Sequence, residues 1–131
     1  MAKNIFDDNK NKYDVTSANT YSTTEQVVGK WINNKPLYRK VVDFGQLPNA
    51  TTKIVAHNIN NLDFVVNAWA VAKRIDNGDI TYFPINQARA DTYENSIGLY
   101  LSQNNISIQT GIDRSNTNIT YVVIEYTKTT D

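Results

Sequence analysis

Cysteine is absent from the 131-residue chain, which excludes disulfides, thiolate metal sites and a cysteine nucleophile. Histidine occurs once, at His57, so one chain cannot build a multi-histidine metal centre. Neither charge sign is in excess: 13 Lys and Arg balance 13 Asp and Glu. A nucleic-acid binder or a polybasic membrane anchor needs surplus positive charge to engage phosphate, so neither is expected. No run of about 18 apolar residues occurs, so membrane insertion by a helix is not expected either. The first residues, Met1 to Asp8, lack the apolar stretch of a secretory signal, which makes synthesis in a cytoplasm the expectation. At 14.8 kDa the chain has the size of a single domain.

What the chain has in quantity is uncharged polarity. Asn occurs 18 times and Thr 14 times, together nearly a quarter of all residues. Asn tolerates the positive φ of tight turns and suits positions 33–34, 60–61, 77 and 104–105. Thr is expected at outward strand positions and strand ends. Val and Ile number 24 against 6 for Leu and Met, a β-branched bias that favours strands over helices.

Residues 1–24 read as an extended N-terminal arm and 25–131 as a folded domain. The arm is Asn, Lys, Asp, Ser and Thr with scattered apolar points, too few to form a core alone. It is either a loose tail or a segment that orders against a partner chain, with Ile5, Phe6, Tyr13 and Val15 as anchors. From Glu25 onward, strands are expected at 26–32, 37–44, 53–58, 63–75, 80–85, 97–102, 106–110 and 119–127. The segment Asp63 to Ile75 alternates Phe64, Val66, Ala68, Ala70 and Ala72 with Val65, Asn67, Trp69, Val71 and Lys73. That period of two describes a strand, although its Ala-rich middle also permits a helix. Asp76-Asn77-Gly78-Asp79 is a hairpin signal. About eight short strands at turn spacing make an all-β fold, an antiparallel β-sandwich of jelly-roll type.

The residues offer little catalytic chemistry. His57 has no nucleophile motif beside it and reads as a hydrogen-bonded structural or interface histidine. No phosphate loop, nucleophile elbow or zinc-ligand spacing occurs, and no cofactor is expected. Glu appears only at 25, 94 and 125, with Asp mostly in turns, so an acid–base pair for glycoside cleavage is not evident. Asp76 and Asp79 could hold calcium weakly, but turn chemistry explains both without a metal. The aromatics Trp69, Tyr82, Tyr93 and Tyr100, with Arg89 and abundant Asn and Asp, are candidates for a sugar site in which rings stack and polar groups meet hydroxyls. Asp91, Asp113 and Arg114 join Trp69, Tyr82, Arg89 and Tyr93 as candidates for host contact. The polar stretches 86–95 and 111–118 are the expected exposed loops.

Two stretches carry a resemblance. Tyr21-Ser22-Thr23-Thr24-Glu25 leads into Val28-Gly29-Lys30-Trp31-Ile32-Asn33-Asn34-Lys35-Pro36-Leu37-Tyr38. Val42-Asp43-Phe44-Gly45-Gln46-Leu47-Pro48-Asn49 and Val55-Ala56-His57-Asn58-Ile59 continue the pattern, and Ile124-Glu125-Tyr126-Thr127-Lys128-Thr129-Thr130-Asp131 closes it. This resembles a module of tail and fibre proteins in virions of tailed phages that infect low-GC bacteria. Two positions depart from the pattern: Asn34 replaces the usual Gly of the hairpin, and Asn58 stands where Gly commonly follows the His.

The resemblance implies a non-enzymatic virion surface protein, assembled as a homotrimer and associated with other virion proteins. The flat face of Ala68, Ala70 and Ala72 is the expected trimer interface. Contact with a host-surface glycan fits the same reading. Alternatives are a capsid-bound head fibre or decoration protein gripping the shell through residues 1–24, a carbohydrate-binding module of a lysin, or a small glycan-processing enzyme.

Overall fold

A computed structural model describes residues 20–85 and 97–131. They fold into eight strands: β1 (Gln26–Lys30), β2 (Pro36–Asp43), β3 (Thr52–Ala56), β4 (Leu62–Asp76), β5 (Asp79–Ile85), β6 (Ile97–Leu101), β7 (Asn105–Thr110) and β8 (Thr117–Lys128). Every pairing is antiparallel, and no described residue is helical. The Ala-rich 63–75 segment is therefore strand, because its alternation matches a two-faced sheet position and its β-branched neighbours suit one. Five strands form one sheet in the order β1-β2-β8-β4-β5, and three form the other in the order β3-β7-β6. The chain crosses between sheets after β2, β3, β5 and β7, while β4–β5 and β6–β7 are hairpins within one sheet.

Strand β8 lies in the middle of the large sheet, with β2 on one side and β4 on the other. This position explains the apolar run Val122-Val123-Ile124 at its centre, which is buried on both faces of the sheet. Val122, Ile124 and Tyr126 point into the sandwich and are fully buried with Ile106 and Ile108 of β7. Each such side chain contributes roughly 1.5–3 kcal/mol by leaving water. Across the large sheet, Val122 pairs with Ala70 and Ala70 with Ile85; Thr120 pairs with Ala72 and Ala72 with Phe83. The alanines are the small members of rows whose neighbours are large, which lets the rows pack evenly.

That arrangement corrects the expected trimer interface. Ala70 and Ala72 are 0% and 3% exposed within the chain's own core, and Ala68 is half-buried beside Ile124. The small sheet covers the alanine face, so a second copy cannot. Threonine also departs from expectation: Thr110, Thr117, Thr120 and Thr127 are buried. Thr110 and Thr127 succeed there because their hydroxyls donate to Pro48 O at 3.1 Å and Asp63 Oδ2 at 3.1 Å.

Asparagine does what the sequence suggests at several turns. Asn34, Asn61 and Asn77 take φ of 70°, 59° and 52°, and Asn58 joins them at 55°. Asn104 and Asn105 do not have positive φ; Asn105 already belongs to β7. Asp76 pairs with Asp79 across Asn77-Gly78, so both flank the hairpin as ordinary turn residues. The described residues contain no group of three or more His, Asp or Glu placed to hold a metal.

Candidate functional site

His57 is settled by its partners. It is 1% exposed, its Nε2 donates to Ser102 O at 3.1 Å, and its Nδ1 accepts from Ile59 N–H at 3.1 Å. These roles define a neutral imidazole that pins the loop after β3 to the turn after β6, with no ring nitrogen left to act on a substrate. Two glutamates are similarly engaged. Glu25 accepts from the Tyr126 hydroxyl at 2.6 Å and from Lys128 Nζ at 2.8 Å, and Glu125 pairs with Arg39 at 2.9 Å. Burial and Glu25 push the Tyr126 hydroxyl far above the ordinary tyrosine range. A hydrogen bond to Asp131, at 2.7 Å, pushes the Tyr38 hydroxyl up to about 12.

The large sheet's outer face is the most distinctive surface. Residues that alternate with the buried alanines line it: Trp69, Val71, Lys73 and Ile75 on β4. The pairing carries this face sideways, from Val71 to Tyr121 and Pro84, and from Lys73 to Ile119 and Tyr82. Ile75 pairs with Ile80 at the far end. Val71, Ile75, Ile80, Ile119 and Tyr121 are all exposed, and Tyr82 is 70% exposed. Two shallow grooves, of about 380 and 230 Å³, share Tyr121 as a lining residue.

Part of this face is covered by the chain's own N-terminal approach. Tyr21 meets Trp69 edge-on with centroids 6.5 Å apart, and the Arg39 guanidinium lies 4.3 Å from the Tyr21 ring centre. Val41 N–H donates to Ser22 O at 2.9 Å, and an Arg39 terminal nitrogen reaches Thr20 O at 3.5 Å. Residues 20–24, expected within the arm, thus lie against the sheet. The uncovered apolar area begins beyond them, at Tyr121 and Val71.

The sugar-contact candidates separate in space. Trp69 and Tyr82 share the outer face, with Trp69 half-buried against Tyr21. Asp113 and Arg114 lie in the turn before β8, where the Ser115 hydroxyl first, and then the Ser115 N–H that donates to Asp113 Oδ1 at 2.8 Å, hold that carboxyl below its usual range. Arg89, Asp91 and Tyr93 lie outside the described residues, as do the anchor candidates Ile5, Phe6, Tyr13 and Val15. Sequence reasoning missed Val71, Ile75, Ile80, Ile119 and Tyr121 as surface. Alternation alone signals two faces but not which one the second sheet will cover.

No protein-family model, curated protein or solved structure matches the chain.

Proposed function

We propose that this chain is a structural module of a tailed-phage virion, of tail or fibre type, that assembles with copies of itself as a homotrimer on the particle surface. The observation that carries the assembly reading is the uncovered apolar outer face built on Val71, Ile119, Tyr121 and Tyr82. Contiguous apolar patches on a soluble β-sandwich mark places where another surface packs. A chain with 13 charges of each sign also meets its own copies without net repulsion. In this reading the outer face, and not the alanine face, packs between copies.

The phage assignment draws its support from the sequence pattern, and two backbone positions are consistent with it. Asn34 and Asn58 occupy places where that pattern has Gly, and both adopt left-handed φ of 70° and 55°. Asn is the non-glycine residue best able to hold that conformation. Host-glycan contact falls to the Asp113–Arg114 turn at the end of the sandwich. A non-enzymatic role suits a His57 whose two ring nitrogens, and a Glu25 and Glu125 whose carboxylates, are engaged in tying the fold together.

A second reading, a capsid-bound head fibre or decoration protein, is favoured by the way Thr20 and Ser22 are tied to the large sheet, which gives residues 1–19 a fixed point of departure. Antibody labelling of particles in the electron microscope tests both. Label on the tail or fibres supports the first reading, label over the capsid the second, and absence of label from particles defeats both. Light scattering of the purified chain tests assembly: a monomer at micromolar concentration overturns the trimer.

A further inference from the structure

Most half-buried cations of this fold are met by oxygen. Lys35 pairs with Asp63, Arg39 with Glu125 and Lys128 with Glu25. Lys40 and Lys53 donate to backbone carbonyls. Two arginines at one end of the sandwich differ. Arg74 donates from a terminal nitrogen to the Thr81 hydroxyl at 3.2 Å and has no carboxylate partner among the described residues. Arg114 lies with its guanidinium carbon 6.0 Å from the centre of the Phe83 ring, and likewise has none. The Nε of each is shut off from solvent with no hydrogen-bond partner.

The fold brings these two side chains to one place. Arg74 pairs with Thr117 in the β4–β8 register and with Thr81 in β4–β5. The turn that ends in Thr117 starts at Arg114, whose carbonyl accepts from Thr117 N–H at 2.9 Å. Phe83, under Arg114, is two residues along β5 from Thr81. The one other buried side-chain atom without a partner among the described residues is Thr120 Oγ1, on the Thr120–Ala72–Phe83 row directly beneath. The buried side-chain polar atoms without a partner among the described residues therefore gather at a single end. Burial first, and then the nearby Arg74, lower the affinity of Arg114 for its proton.

Two neighbouring guanidiniums at one end of the sandwich, partly withdrawn from water and with no carboxylate partner among the described residues, are an unfavourable arrangement unless an anion joins them. Guanidinium forks match planar or tetrahedral oxyanions through paired N–H donors. We infer that Arg74 and Arg114 form a binding site for an oxyanion, the phosphate or carboxylate group of a ligand from outside the chain. The adjoining hydroxyl of Thr81 supplies a further polar group, and the Phe83 ring a flat wall. The site is independent of where the protein resides on a particle.

The test compares thermal unfolding of the full-length protein with R74Q and R114Q, at one pH and one ionic strength, in sodium chloride and then with inorganic phosphate, glycerol phosphate or glucuronate replacing chloride. At an anion concentration roughly ten to a hundred times its dissociation constant, wild type gains about 5–10 °C over chloride and each variant loses that gain. A larger gain with the phosphates identifies a phosphate-bearing ligand, and a larger gain with glucuronate a carboxylate sugar. In chloride R114Q unfolds at or above the wild-type temperature, because it relieves the repulsion from Arg74, so loss of folding does not confuse the result. An equal gain in all three proteins, or no gain with any anion, overturns the inference. It is also overturned if R114Q falls below wild type in chloride and D91N or E94Q falls equally, since a carboxylate of the chain itself then occupies the arginines.

Discussion

Lys40 and Lys53 reach across the sandwich in opposite directions. From β2, Lys40 Nζ donates to His57 O at 2.9 Å and Asn58 O at 3.2 Å, just past the end of β3. From β3, Lys53 Nζ donates to Phe44 O at 2.9 Å and Gln46 O at 2.8 Å, just past the end of β2. Each lysine thus caps the loop that follows the other's strand and ties one sheet to the other. In the sequence, Lys40 looks like an interruption of the apolar face of β2; in the fold it is a fastening.

Replacing either lysine by methionine keeps most of the stem but leaves carbonyls without their charged donor. Each substitution is expected to destabilise by about 1–3 kcal/mol, since hydrogen bonds to charged groups are worth more than neutral ones. The two losses couple if the sheets shift together, which a double-mutant cycle in urea measures. Wild-type stability in both single variants would show that the clasp is idle.

Ala70 fills the narrow place between Val122 and Ile85. Ala70→Leu is expected to cost about 1–3 kcal/mol by overpacking, whatever the protein concentration. An interface residue would instead give a concentration-dependent loss. Urea midpoints measured across a wide concentration range distinguish the two.

Charge on the outer face is expected to act on association alone. Tyr121→Lys and Val71→Lys are exposed changes that leave monomer stability within about 0.5 kcal/mol, as is usual for surface substitutions. If the outer face packs between copies as proposed, both are expected to shift the chain toward monomer in light scattering. An unchanged assembly state in both would move the interface elsewhere.

Stability is expected to fall at both ends of the pH scale, for reasons of opposite sign. Hydrogen bonds from Lys35 Nζ and the Thr127 hydroxyl hold the Asp63 carboxyl below its usual range. Its contribution is complete above the ordinary aspartate value of about 3.9 and is lost as the pH falls through the lowered folded value. Tyr38 is raised to about 12, so its contribution is complete below the ordinary tyrosine value of about 10 and disappears between there and the folded value. Asp63→Asn should flatten the acid limb of a urea-midpoint profile, and Tyr38→Phe the alkaline limb. A limb unchanged by its substitution would remove that residue from the account.

Strand content was legible in the sequence because alternation, β-branched bias and Asn-rich turns agree with one another. The Asn77-Gly78 hairpin and the left-handed turn at Asn34 follow from local chemistry alone, and the structure places both there. The direction each face points was not legible in the same way. On β4, Ala70 and Trp69 are consecutive, and nothing local tells which faces the second sheet. A hydrophobic reading sends tryptophan inward, yet alanine is the buried one and Trp69 lies half-buried outside under Tyr21. The buried threonines escaped for the same reason, since Thr110 and Thr127 satisfy their hydroxyls with Pro48 and Asp63, both more than 60 residues away.

By itself, then, the sequence determined an all-β chain without thiol chemistry or excess charge, with turns set by asparagine and glycine. These are properties of single residues and near neighbours. Tertiary structure decided that Ala70 and Ala72 are core, that Val71, Tyr82 and Tyr121 on the opposite face are exposed, and that Arg74 and Arg114 come to the same end of the sandwich. Each of those depends on which sheet covers which and on contacts between strands far apart in the chain, and no local pattern encodes them.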